Sequence, residues 1–275
     1  MSETGLRDPA PPKAGEATPH LEAVGLSKDF DTRKGPLRAL DHVDFRVQKN
    51  ELVCLVGSSG CGKSTLLAIV AGLDLPTEGE VLLNGVPVAG PGPDRGLVFQ
   101  GYSLYPWRTV AENVAFGLEL KHLPAADIKA RVAHYLDVMG LTGFADSLPA
   151  QLSGGMRQRT AIARALATEP QVLLMDEPFG ALDTQTRQAM QEFLLTVWRE
   201  VGTTILMVTH SVEEAVFLSQ RLYVMSPRPG RIAAELAVPF GPDRHHALMR
   251  EAAFQELCLQ VDKLLRLVPL RADAA

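Results

Sequence analysis

Apolar positions along the chain alternate between a spacing of two and a spacing of three to four, and the changes divide it into strands and helices. Leu21–Phe30 (LEAVGLSKDF) and Arg38–Val47 (RALDHVDFRV) predict two strands on either side of a charged turn at Asp31–Gly35. Glu51–Gly57 (ELVCLVG) is almost wholly apolar, the pattern of a strand buried on both faces. Ser64–Leu73 then continues with helical character. In Glu80–Val88 (EVLLNGVPV), Asn84–Gly85 between apolar runs predicts a hairpin. An antiparallel patch is therefore expected beside a parallel core.

From Trp107 to Gln151 the spacing is helical. Ile128, Val132, Tyr135, Leu136 and Met139 share one face, and Gly140 supplies a stop. Two apolar strands follow, Gln171–Asp176 (QVLLMD) and Thr203–His210 (TTILMVTH). Between them lies a helix with one apolar stripe, made by Met190, Phe193, Leu194, Val197, Trp198 and Val201. Strand, helix and strand at this spacing form a βαβ unit. Arg221–Val238 closes as a hairpin turned at Arg228–Gly230, and Asp243–Leu267 predicts an amphipathic C-terminal helix. No internal repeat is evident.

The 275 residues, 46% of them hydrophobic, suffice for a packed core in one large domain or two small ones. A membrane helix is not expected, because no apolar run approaches ~18 residues. A net charge of −5 without a dense Lys/Arg block argues against nucleic acid as the main partner. The first residues, MSETGLRDPAPPKAGEATPHL, are Pro-rich and polar and lack the apolar centre of a secretory signal. They read as a disordered tail to about His20. Cys54, Cys61 and Cys258 have no metal-ligand spacing and fit reduced thiols in a cytoplasmic protein.

Chemistry enters at Gly57–Thr65 (GSSGCGKST), where Gly57, Gly62, Lys63 and Ser64 satisfy the phosphate-loop pattern between a predicted strand and a helix. Glycines let backbone amides converge on phosphate oxygens, and the following helix N-terminus favours an anion. Lys63 would reach the β/γ-phosphates and the Ser64 hydroxyl would ligate Mg²⁺. The strand ending in Asp176 and Glu177 supplies two adjacent acids. Asp176 is the natural one to reach the metal, and Glu177 then points elsewhere, because side chains on an extended segment alternate. A carboxylate beside the γ-phosphate but off the metal can polarise an attacking water. Ser153–Gly155, ahead of a helix, suit either a simple cap or a second anion-binding helix start.

Gly57–Thr65, Gln100, LSGGMRQR (Leu152–Arg159), VLLMDEP (Val172–Pro178), Ala181–Asp183 and His210 stand in the order and rough spacing of ATP-binding cassette (ABC) ATPases. The resemblance covers about Leu21–Val238. It implies an α/β P-loop NTPase with a RecA-like parallel-sheet core, an antiparallel β subdomain and a helical subdomain at about 101–165. The whole cassette would span 21–240, followed by a helical extension over 241–275. The resemblance makes Gly57, Ser58, Ser59, Gly60, Cys61, Gly62, Lys63, Ser64 and Thr65 nucleotide-binding residues. It implies that Phe30 stacks on adenine, in a place where Tyr is more usual. By the same resemblance Ser64, Gln100 and Asp176 would hold Mg²⁺, and Glu177, His210 and Gln100 would be catalytic. The resemblance also places Ser153, Gly154, Gly155 and Gln158 against ATP held by a second subunit, and Asp183 in the loop that crosses to it.

A single copy of each motif implies a homodimer or a paired related subunit, with ATP as the glue. Within the family, Gly90–Gln100, Tyr105–Leu120, Asp176–Asp183 and Ser211–Ile232 look like the nitrate/sulfonate/taurine importer branch. That branch implies an ATPase at the cytoplasmic face of the inner membrane, bound to permease subunits and served by an extracytoplasmic solute-binding protein. Gly101–Asn113 would dock the permease. Its aromatics Tyr102, Tyr105 and Trp107 suit a protein contact, and packing inside the helical subdomain competes with that reading. Ser58 replaces a usual Pro and Ser211 a common Asp, and neither change removes a catalytic group. A soluble ABC ATPase acting on nucleic acid or ribosomes and a phosphate-loop kinase are the competing classes. Acidic charge and a single cassette disfavour the first, and the Leu152–Arg159 signature disfavours the second.

Overall fold

The computed structural model describes residues 18–267. Most of the expected N-terminal tail and the last residues of the C-terminal extension lie outside them. Ten strands and seven α-helices are formed among the described residues. Strands β1 (Leu21–Thr32) and β2 (Gly35–Val47) pair antiparallel. With β4 (Glu78–Leu83) and β5 (Val86–Pro87) they make a four-stranded sheet in the order β2-β1-β4-β5. Asn84 and Gly85 turn β4 into β5 with φ of 51° and 76°, the double positive φ of a tight hairpin.

The central sheet has the order β10-β9-β3-β8-β7-β6. Its strands are β3 (Leu52–Val56), β6 (Arg95–Val98), β7 (Val172–Asp176), β8 (Thr204–Thr209), β9 (Arg221–Met225) and β10 (Ile232–Ala237). All neighbours are parallel except β10, which returns antiparallel to β9. β3 is buried along its whole length, and alternate residues feed two different cores. Val53 and Leu55 meet β1, β2 and α1 (Lys63–Val70) on one face. Leu52, Cys54 and Val56 face a helical layer on the other. That layer comprises α2 (Val110–Leu120), α3 (Ala125–Val138), α4 (Gly154–Ala167), α5 (Thr184–Val201), α6 (Val212–Leu218) and α7 (Ala252–Leu267).

Local chemistry starts and stops these helices where the sequence places the signals. Thr109 caps α2 in a reciprocal box: its Oγ1 accepts from the Glu112 amide at 3.2 Å, and its own amide donates to Glu112 Oε2 at 2.7 Å. Gly140 follows α3 with φ 64°. Of the expected α5 stripe, Met190, Leu194, Val197 and Trp198 are buried, and Phe193 and Val201 pack at its margin.

Two boundaries differ from expectation. His20 is not a tail residue: it is buried, its Nδ1 is 2.8 Å from Asn84 Oδ1, and its amide bonds Val47 O. The C-terminal helix begins at Ala252 rather than near Asp243, after a short 3₁₀ turn over His246–Arg250. Side-chain contacts override the helical pattern there. Arg244 buries its guanidinium against the carbonyls of Val216, Phe217 and Ser219 at the end of α6, and His246 stacks on Phe217 at 4.4 Å.

Candidate nucleotide-binding and hydrolysis site

β3, β8 and β7 lie side by side and parallel, so their C-terminal ends converge on one edge of the sheet, the usual ligand edge of an open α/β fold. The first runs into the loop at Gly57, the second into His210, and the third ends in Asp176 and Glu177. Segments far apart in sequence thus meet because parallel pairing aligns their ends.

In the loop, Ser58, Ser59 and Gly60 are exposed, whereas Cys61 turns its side chain into the core. Burial pushes its thiol up from the ordinary cysteine range. Gly62 has φ 103°, and a Cβ there would meet Leu40 Cδ2 at 2.7 Å and Ala39 O at 3.1 Å, so only glycine fits. α1 starts at Lys63, directing its first free amides toward the loop. The Lys63 ammonium donates to the carbonyls of Gly57 (2.9 Å) and Ser58 (3.1 Å), and lies 3.9 Å from Glu177 Oε1. Thr65 is half-buried on the same helix.

The two acids are separated as strand alternation requires. Asp176 Oδ1 accepts from the Ser64 hydroxyl at 3.1 Å. Burial pushes the Asp176 carboxyl up, the Ser64 bond opposes this, and the neighbouring Glu177 charge adds to it. A hydroxyl and a carboxylate oxygen are hard donors that suit Mg²⁺, an ion usually held by one or two protein groups plus substrate phosphates. A cation there would offset the cost of the half-buried charge. Glu177 turns the other way. Its φ of 43° is uncommon for a non-glycine residue, its amide donates to Val208 O, and its Oε2 lies 2.9 Å from His210 Nδ1. Gln100, exposed after β6, brings its amide over Gly180, where a Cβ would lie 3.5 Å from Nε2.

Ser153 is exposed and caps α4, its Oγ accepting from the Met156 amide at 3.3 Å. Cap and exposed helix start are therefore the same feature. Gly154 sits beside Leu182, and Gly155 packs against Thr186. Gln158 departs from this group: it is fully buried, and its amide Nε2 and Oε1 have no partner among the described residues. α4 packs against α2, α3 and α5, and that packing takes Gln158 inside. Asp183, exposed, caps α5 through the Thr186 amide at 3.0 Å, and the amides at this cap hold its carboxyl below the usual range. Phe30 stands near the end of β1, 38% exposed, with the Lys28 ammonium 5.0 Å from its ring centre. Lys28 is held in place by Asp74 at 2.6 Å.

The aromatics of Gly101–Asn113 divide between the two roles the sequence allows. Trp107 is 73% exposed. Tyr105 is packed on Phe116 at 4.6 Å with Arg164 over its face, and Tyr102 lies under Arg157. The sequence reading missed Glu214, a buried acid on α6 behind His210. Glutamate three residues after a Ser helix cap is ordinarily a solvent-facing capping residue, so no local signal marks it.

A family model described as "ABC transporter" matches residues 40–180. The nitrate import ATP-binding protein NrtD of Synechocystis sp. is 49% identical, the match covering 90% of this chain and 95% of that protein. The taurine import ATP-binding protein TauB of Pelagibacter ubique is 51% identical, over 80% of this chain and 83% of that one. Among solved structures, the dimeric ATP-binding cassette MJ0796, in a post-hydrolysis state bound to ADP and Pi, superposes with a TM-score of 0.70. It is 32% identical over 80% of this chain and all of that one. cbiO1 from Clostridium perfringens, part of the ABC transporter complex cbiONQ, gives a TM-score of 0.73 at 26% identity, over 91% of this chain and 99% of that one.

Proposed function

The chain belongs to the ABC transporter family as an ATP-hydrolysing, ATP-binding subunit, and from that premise we propose that it powers an importer of small oxyanion-bearing solutes such as nitrate, sulfonates or taurine. The names of its relatives NrtD and TauB support that solute class. Two copies would face each other head to tail, the phosphate loop of one and Ser153–Gly155 of the other enclosing each ATP, with Asp183 at the crossing. The dimeric cassette among its structural neighbours supports this arrangement. Each pair would sit on permease subunits at the cytoplasmic face of the membrane, with Trp107 as an exposed apolar contact, and a solute-binding protein would deliver cargo from outside. Among the described residues no helix is long and apolar enough to cross a membrane.

The observation that carries the hydrolytic reading is the Glu177–His210 pair beside Lys63 and the Ser64–Asp176 pair. Loop amides and Lys63 bind the β/γ-phosphates, and Phe30 takes the base. Ser64, Asp176 and Gln100 would hold Mg²⁺, which when bound neutralises charge on the phosphate oxygens. Glu177, held by His210 and kept off the metal side, accepts hydrogen bonding from the attacking water and polarises it. His210 presents its second ring nitrogen to the γ-phosphate. Glu177→Gln keeps the side-chain shape but removes the base. It is expected to bind ATP normally, to release less than about 1% of wild-type phosphate, and to accumulate as an ATP-bound dimer in size-exclusion chromatography with light scattering. Unchanged turnover rejects the assignment. For the transport reading, the chain should copurify with a multispan membrane protein and be required for uptake of labelled nitrate or taurine. Copurification with ribosomes, or ATPase stimulated by RNA, overturns it.

A further inference from the structure

We infer that Glu214 is a positioning residue that holds the turn carrying His210, and so the Glu177–His210 contact, in its hydrolytic arrangement. The inference rests on the role proposed above for His210. Glu214 is 6% exposed, yet its carboxylate has no Lys or Arg within salt-bridge distance among the described residues. Its Oε1 accepts from the Gln191 amide of α5 at 3.0 Å. Both residues flanking His210 lie against Glu214, Ser211 at its backbone amide and Thr209 at its carboxylate. The Ser211 hydroxyl accepts from the Glu214 amide at 3.3 Å, and the Ser211 amide donates to Thr209 Oγ1 at 3.1 Å. The Thr209 hydroxyl faces the Glu214 carboxylate, and Thr209 itself is 1% exposed. His210 thus projects from a turn held on one side by the Glu214 backbone amide and faced on the other by its buried carboxylate, which the Gln191 bond pins to α5.

The same acid faces the far side of the site. Arg187 of α5 lies within electrostatic reach of Glu214 and donates to the carbonyls of Phe179 (3.3 Å) and Leu182 (2.8 Å). Those carbonyls belong to the loop between Glu177 and Asp183. α5 therefore links the acid, through Gln191, to the loop that follows Glu177, through Arg187 one turn earlier. An apolar residue would fill the space at lower desolvation cost but would fix no orientation. A satisfied buried network specifies one arrangement, which a proton-handling pair needs.

The test is a double-mutant cycle on the full-length chain. Glu214→Leu frees the Gln191 donor, removes the carboxylate that Thr209 faces, and is expected to lower kcat on the order of tenfold or more, as a loosened catalytic contact does. ATP affinity should fall far less than kcat, because the phosphate loop and Lys63 are untouched and the His210 contact is one of many to the nucleotide. Glu214→Gln, which keeps an acceptor, should recover most of the loss. Because Glu214 acts through His210, adding Glu214→Leu to His210→Ala should cost nothing further. Additive losses overturn the inference, as does a fall in kcat matched by equal losses of ATP affinity and Tm. If Glu214→Leu does not fold, Gln191→Met, which removes only the donor from α5, takes its place in the same cycle. Normal turnover in His210→Ala alone overturns the role of His210 and, with it, this inference. A normal loss at His210 with independent behaviour at Glu214 overturns the inference alone.

Discussion

Gly230, in the Arg228–Gly230 turn between β9 and β10, is predicted to support the phosphate loop, and Gly230→Ala tests this directly. The residue is buried, its amide donates to Ala39 O at 2.9 Å, and its carbonyl accepts from the Asp41 amide at 3.0 Å. A Cβ at this position would lie 2.2 Å from the Cys61 carbonyl oxygen and 3.2 Å from Leu40 Cδ2. Clearing the first contact to 3.0 Å demands a movement of ~0.8 Å. The obstacle is backbone, so a side-chain rotation cannot relieve it. Either the turn withdraws, at the expense of its two hydrogen bonds to β2, or the Cys61–Gly62 peptide shifts. Such overpacking costs about 1–3 kcal/mol. If ~1.4 kcal/mol of it falls on the loop, ATP affinity drops about tenfold. Calorimetric titration with ATP measures that term, and the Tm of the nucleotide-free protein measures the rest. Gly241→Ala is the control, since nothing lies within 4 Å of its added methyl. Wild-type affinity together with wild-type Tm in Gly230→Ala would refute the reasoning.

Asp176→Asn should abolish Mg²⁺-dependent hydrolysis yet raise the Tm of the free protein. Burial holds the folded carboxyl above its unfolded value, so ionisation opposes folding, and the penalty grows as pH rises through that range. The gain from Asn should therefore be larger at pH 8 than at pH 4, and a variant less stable than wild type at pH 8 contradicts the argument. Arg244→Met should lower Tm without altering ATP affinity, because the guanidinium is the donor to the carbonyls of Val216, Phe217 and Ser219. Each orphaned carbonyl costs about 1–3 kcal/mol, and each kcal/mol about 2–4 °C in a chain of this size. A thermal scan showing no decrease would mean that water replaces the guanidinium.

Much of the candidate site's layout was legible because its signals are local. The loop glycines, the apolar strand before them and the helix after them are adjacent in sequence, and so are Asp176 and Glu177. Alternation on an extended strand already separated those two acids, and the Ser64–Asp176 and His210–Glu177 contacts follow that separation. Gln158 and Cys61 show the limit. Both sit inside recognisable motifs, yet both point their side chains into the core. A motif states which backbone passes the ligand and says little about which side chains face it.

Taken alone, then, the sequence determined the strands and most helices, the family resemblance, and the strand ends proposed to carry the chemistry. Each of these depends on periodicity or on turn and cap residues that act within a few positions. Only the tertiary structure decided that the C-terminal helix starts late, that the Arg228–Gly230 turn abuts the Cys61 carbonyl, and that Glu214 lies buried behind His210. These facts depend on which surfaces meet across long stretches of chain. Burial there changes the energetics of a polar group through desolvation and through partners that no local pattern can encode.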